Sequence, residues 1–227
     1  MDPAPLPSSA DSSTITPALQ LRAQADACRT GTTTQPKDFQ KAIDLYTQSG
    51  FQHDDGTSLY FLGLMYQYNM VPGEENGKGK LALKTTNAEL MKKAVEMFVL
   101  AAEKNVSLAC YQMGCLYRDG LEMFEDEPLN EKYRDTNEAR NVIAATSSVA
   151  PRLAAEHAEM EPGAKPMVLV AKDMKKAVKM FEIAKDLGDF EAQYEIGYYY
   201  ELGLHGYWKS HKKAMELYEK AMKEDHA

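Results

Sequence analysis

Apolar residues along this chain recur at helical rather than strand spacing, and they do so in two alternating registers. One register appears as KAIDLYTQS from Lys41, KAVEMFVLA from Lys93, KAVKMFEIA from Lys176 and KAMELYEKA from Lys213. Each alanine (Ala42, Ala94, Ala177, Ala214) is followed at three and four positions by large residues: Leu45 and Tyr46, Met97 and Phe98, Met180 and Phe181, Leu217 and Tyr218. A small residue follows at seven: Ser49, Ala101, Ala184 or Ala221. Small positions let a neighbouring helix come close while large ones fill the gap, so such helices must stack in pairs. The other register appears as SLYFLGLMYQYN from Ser58, ACYQMGCLYRDG from Ala109 and AQYEIGYYYELG from Ala192. Gly63, Gly114 and Gly197 share one internal position, with a tyrosine three before (Tyr60, Tyr111, Tyr194) and three after (Tyr66, Tyr117, Tyr200). A mid-helix glycine costs about 1 kcal/mol relative to alanine, so three at one register point to close helix approach.

The two registers are locked together. Gly63 follows Ala42 by 21 residues, Gly114 follows Ala94 by 20, and Gly197 follows Ala177 by 20. Gly31 precedes Ala42 by 11, as Gly203 precedes Ala214, so residues 17–31 read as a degenerate glycine-register helix. The expected helices run near 17–30, 38–53, 56–70, 89–105, 107–120, 173–188, 190–203 and 210–225. Gly120 and Gly203 fall at helix ends, where a glycine in a left-handed conformation closes the helix.

The segment AxYxxGxxYxxG followed by KAxxxYxxA resembles the Sel1-like repeat, a relative of the tetratricopeptide repeat, over most of residues 17–227 outside two insertions. The resemblance implies an all-α fold, a right-handed α/α solenoid of about four helical hairpins. It also implies a curved protein-binding surface and adaptor or scaffold roles rather than catalysis. Ala25 stands for the glycine in the first hairpin, Asn69 for the turn glycine in the second, and both central links exceed the family pattern.

Residues 1–16 are expected to be a disordered N-terminal segment, and 17–227 the array, interrupted at about 71–88 and 122–172. Both insertions occupy the same loop type, so in a solenoid they emerge on one edge. The first, VPGEENGKGKLALKTTN, reads as a flexible loop. In the second, NEKYRDTNEARNVIAATSS and PRLAAEHAEM each have the composition of a helix, Pro151 being tolerated at a first helical position. Loops of this length are functional or disordered, and both readings stay open.

Candidate chemistry changes the picture little. GEENGKGK falls short of a phosphate-binding loop: Gly73 to Gly77 leaves three intervening residues and Gly73 to Gly79 five, where four are needed. Cys110 and Cys115 are five apart, which turns them roughly 140° from each other on a helix, away from a shared metal. The five histidines show no pairing on one face, and His53 beside Asp54 and Asp55 reads as a helix-end cluster. Asn105-Val106-Ser107 marks a turn. No cofactor, metal or small-molecule substrate is expected, and no enzyme. A formal net charge of -8 argues against direct nucleic-acid binding, and no stretch is apolar enough to cross a bilayer. Three cysteines, no secretory signal and no arginine-rich presequence make the cytoplasm the expected compartment, with a mitochondrial one left open.

The expected function is therefore a non-catalytic scaffold or structural subunit that binds other proteins within a multi-subunit complex. The alternative is a transient peptide-binding adaptor or the regulatory subunit of an enzyme complex. Counting 100° per residue from Gly197 puts Ala192, Ile196, Tyr199 and Tyr200 on the face that must bury, leaving Tyr194, Glu195, Tyr198 and Glu201 elsewhere. The equivalent positions are Tyr60, Phe61, Leu64 and Gln67, then Tyr111, Gln112, Cys115 and Arg118. From these, Phe61, Leu64, Arg118, Tyr194 and Tyr198 are the candidate partner-binding residues along the concave side; the competing reading packs the tyrosines against the insertions.

Overall fold

The computed structural model describes residues 16–31, 33, 36–72, 74–76, 80–82, 87–123 and 166–225. The N-terminal segment up to residue 15 and the two helices read into the long insertion lie outside the described residues.

The described residues form eight helices: α1 Pro17–Thr30, α2 Phe39–Gln52, α3 Gly56–Gln67, α4 Asn87–Glu103, α5 Ser107–Asp119, α6 Met174–Asp186, α7 Phe190–Leu202 and α8 His211–Asp225. They pack most extensively as α1 with α2, α3 with α4, α5 with α6 and α7 with α8, and each pair then contacts the next. This is the stack of four hairpins that the two registers require. Local chemistry sets the ends. Thr16 caps α1 ahead of Pro17, while Asp38, Asp55, Asp173 and Asp189 cap α2, α3, α6 and α7 by accepting a backbone N–H from the first turn. Val106 offers α5 no such side chain.

Successive hairpins join through tight turns that carry a positive φ at Asp54, Asn105 and Gly188, directly before the next N-cap. Gly203 closes α7 in the left-handed conformation. Gly120 differs from that expectation: its φ is 74° but its ψ is 167°, so the chain leaves α5 extended and enters a strand at once.

Four short strands accompany the helices. β1 Glu74–Asn76 pairs antiparallel with β2 Lys80–Ala82, so the segment read as a flexible loop holds a small ladder. β3 Leu121–Met123 pairs antiparallel with β4 Met167–Val170, Leu121 opposite Val170 and Met123 opposite Met167. Leu121, Met123 and Val170 are buried against Leu64, Ala88, Met91 and Leu116, so the ends of the long insertion belong to the core.

Three clusters fill the stack. Ala25, Cys28, Ala42 and Tyr46 of the first hairpin meet Leu62 and Met65 of α3. Tyr60, Leu64, Ala94 and Phe98 of the second meet Ala109, Met113 and Leu116 of α5. Tyr111, Cys115, Ala177 and Phe181 of the third meet Ala192, Ile196 and Tyr199 of α7. The glycines take the role their register implies. A Cβ would stand 2.7 Å from the Phe98 ring at Gly63, 2.5 Å from the Phe181 ring at Gly114 and 2.7 Å from the Tyr218 ring at Gly197, closer than packed atoms come.

Candidate functional site

Superimposing the hairpins by their glycine shows what each position does. The residue three before it is Tyr60, Tyr111 or Tyr194, and the residue one after it is Leu64, Cys115 or Tyr198. In the second and third hairpins these are buried: Tyr60 is 5 % exposed, Leu64 8 %, Tyr111 8 % and Cys115 2 %. In the fourth hairpin the same positions are open, with Tyr194 58 % and Tyr198 42 % exposed. The reason is a neighbour. Inside the array the following hairpin covers this face, and beyond α8 the described residues supply no cover.

The alanine-register helix repeats the contrast. One position after its alanine stand Ile43, Val95 and Val178, each half-buried, and then Met215, 56 % exposed. Eight after it stand Gly50, Ala102 and Lys185, buried or half-buried, and then Met222, 63 % exposed. A recurring ring pair crosses from one helix to the other: Tyr60 with Phe98 at 5.8 Å, Tyr111 with Phe181 at 5.5 Å and Tyr194 with Tyr218 at 5.1 Å. The Tyr218 hydroxyl donates to Glu201 Oε2 at 2.8 Å, and burial with that carboxylate holds its phenol above the usual range. The outer face of the fourth hairpin therefore consists of Tyr194, Tyr198, Met215, Tyr218 and Met222, with Glu201 beside them.

The five residues singled out from sequence do not share one strip. Leu64 lies in the core and offers a partner nothing. Phe61 sits at the junction of the first and second hairpins, stacked on Tyr46 at 5.8 Å with the Arg29 guanidinium 5.1 Å above its ring. Arg118 spans the third and fourth hairpins: Nη1 donates to Glu195 at 2.8 Å, while Nε and Nη2 grip Asp119 at 2.9 and 3.0 Å. Its hydrogen bonds to Asp119 raise its pKa further above neutrality, so it stays a fixed cation between hairpins. Only Tyr194 and Tyr198 are both adjacent and exposed. Met215 and Met222, which complete their face, were not among the sequence candidates; the signal was present in a methionine at each of two positions that are small, branched or polar in the other copies.

The thiols are poor nucleophiles. Burial pushes Cys110 up to about 11 and Cys115 up to about 12, which keeps both protonated at neutral pH. Among the described residues no group of three or more His, Cys, Asp or Glu side chains is placed to hold a metal ion, and no helix is long and apolar enough to cross a membrane.

The fold is similar to that of a Sel1 repeat protein from Oxalobacter formigenes, with a TM-score of 0.52 and 18 % identity over 91 % of this chain and 58 % of that one. It is similar also to a protective antigen present in uropathogenic Escherichia coli strains and displaying an SLR fold, with a TM-score of 0.51 and 20 % identity over 91 % of this chain and 30 % of that one. The chain thus spans less than two thirds of either structure, and at such identities the likeness is one of fold. No curated protein matches it. The Sel1 repeat model matches residues 22–50, 107–129, 161–189 and 190–226 and passes over α3 and α4, which the structure nonetheless places in the same stack. Those matches cover more than half of the sequence, and with four hairpins in one register this chain belongs to the Sel1 repeat family.

Proposed function

We propose that this protein is a non-catalytic scaffold, a structural subunit that holds other proteins within a multi-subunit assembly in the cytoplasm. Sel1 repeats are generally protein–protein interaction modules and are typically non-catalytic. The observation that carries the reading is the outer face of the fourth hairpin, where Tyr194 and Tyr198 stand exposed on a helix that meets the Tyr218 ring closely at Gly197. Aromatic side chains on a fixed backbone supply large contact area at low entropic cost, which is what an interaction surface needs. The insertions at about 71–88 and 122–172 are the second place where this chain departs from a plain array, and they are proposed to add contacts of their own.

Affinity purification of the full chain under native conditions, washed in rising salt and read by mass spectrometry, tests this. A stoichiometric partner that stays through the wash is expected. A partner that washes away and is replaced by short peptides identifies the chain as a transient adaptor instead. A chain that purifies alone as a folded monomer contradicts the scaffold reading. The Tyr194→Ala, Tyr198→Ala variant is expected to keep its helical content and lose partners.

A further inference from the structure

Inside the array, every hairpin covers the one before it with the same three positions of its glycine-register helix. They are Ser58, Leu62 and Met65 in α3, Ala109, Met113 and Leu116 in α5, and Ala192, Ile196 and Tyr199 in α7, all buried. The code is a small residue at i and apolar residues at i+4 and i+7. The small residue lets the helix settle against the preceding hairpin, and the other two cover its flanks. A fourth position sets polarity. At two of the three junctions the residue at i+3 meets the residue four after the preceding hairpin's glycine, Phe61 under the Arg29 guanidinium and Glu195 on Arg118, whereas at the remaining one Gln67 Oε1 is buried without a hydrogen-bond partner. At the end of the series that preceding residue is Glu201, a carboxylate.

The two ends of the array are not equivalent. In α1 the positions that would cover a preceding hairpin are Gln20 and Gln24, both exposed, and Ala27. Among the described residues the first hairpin is thus polar at these positions. The last hairpin is apolar. A second copy stacked head to tail would press Gln20 and Gln24 onto Tyr194 and Tyr198 and strip water from two amides without partners for them.

Resting on the scaffold reading, we infer that the outer face of the fourth hairpin receives an amphipathic helix from another protein, one with a small residue at i, a basic residue at i+3 and apolar residues at i+4 and i+7. That helix continues a packing pattern the chain has already used three times, and its basic residue answers Glu201 as Arg118 answers Glu195 with the signs exchanged. Tyr194, Tyr198, Met215, Tyr218 and Met222 form its seat.

The test uses the full chain and two lactam-bridged helical peptides. Each carries Ala at i, Leu at i+4 and Met at i+7; one has Lys and the other Glu at i+3. By fluorescence anisotropy the Lys peptide is expected to bind saturably and at least fivefold more tightly than the Glu peptide. Glu201→Lys should reverse that preference. Tyr194→Ser with Met222→Ser should weaken the Lys peptide at least tenfold at unchanged far-UV circular dichroism, whereas Phe51→Ser, at an exposed residue of α2, should leave it unaltered. No binding, equal binding of the two peptides, or equal loss in the Phe51 variant overturns the inference. So does a concentration-dependent dimer in sedimentation equilibrium that Tyr194→Ser with Met222→Ser abolishes, since the seat then belongs to a second copy. If the peptides fail while a salt-stable partner still co-purifies, the scaffold reading stands and this seat alone falls.

Discussion

The third and fourth hairpins carry one side-chain register and live in different surroundings. Phe181 is fully buried between Gly114 and the next hairpin, with the Tyr111 ring 5.5 Å and the Tyr199 ring 6.4 Å away. Tyr218 occupies the matching position against Gly197, but is only half-buried and has the exposed Tyr194 as its ring partner. Burial in a repeat array is therefore a property of the neighbour as much as of the residue. The same tyrosine position is core where another hairpin covers it and exposed where the described residues supply no cover.

That comparison can be broken most decisively at the two rings. Phe181→Ala should cost about 3 to 5 kcal/mol, as for a large aromatic removed from a closed core, and Tyr218→Ala less than half as much. Unfolding in urea should be followed by far-UV circular dichroism, because Trp208 is already 90 % exposed and reports little. Equal costs would show that the fourth hairpin is as enclosed as the third.

The glycines sharpen the same point. Gly114→Leu and Gly197→Leu both overpack, by about 1 to 3 kcal/mol, with Gly114 expected at the upper end since Phe181 has nowhere to go. Tyr218 can swing outward, so Gly197→Leu should sit at the lower end. A reversed order in midpoint shifts would contradict the enclosure argument.

Smaller effects follow from the apolar flank. Val178→Lys, at a half-buried position, should cost about 1 kcal/mol, whereas Met215→Lys at the equivalent exposed position should stay within about 0.5 kcal/mol. The smallest expected effect is one of pH. Buried thiols in the third hairpin, Cys110 at about 11 and Cys115 at about 12, keep their protons when the unfolded chain has lost them. Stability is then fully present below pH 9 and falls as pH rises toward those values. The chain with Cys110→Ala and Cys115→Ala should lose part of that slope between pH 9 and 10, measured by urea titration.

Much of this architecture was legible in the sequence, because helix existence, pairing and close approach are all local consequences of residue spacing. The eight expected helices agree with the observed ones to within a few residues at each end, and the meeting of Gly63, Gly114 and Gly197 with the large residues at Phe98, Phe181 and Tyr218 follows from register alone. The binding strip was less legible. Counting angles about one helix axis gives the direction of Leu64 and Tyr198 alike, yet says nothing of how many neighbours lie in that direction. Leu64 is consequently core and Tyr198 surface. The strand pair at the insertion was less legible for another reason: Met167-Val168-Leu169-Val170, a short apolar run just after Pro166, has no helical period and too few residues for its alternation to stand out.

The β3–β4 pair has one more consequence. With Met123 opposite Met167 in an antiparallel ladder, the chain departs from the array and rejoins it through a gateway about 5 Å across. The gateway itself is held by the backbone hydrogen bonds of this pair and by the buried side chains of Leu121, Met123 and Val170. For an engineer this is a socket: replacing 124–166 with a two-residue Asn-Gly turn, or with a foreign domain whose termini lie close together, is expected to keep the far-UV circular dichroism of the described helices, and a loss of cooperative unfolding would show that the gateway alone does not suffice.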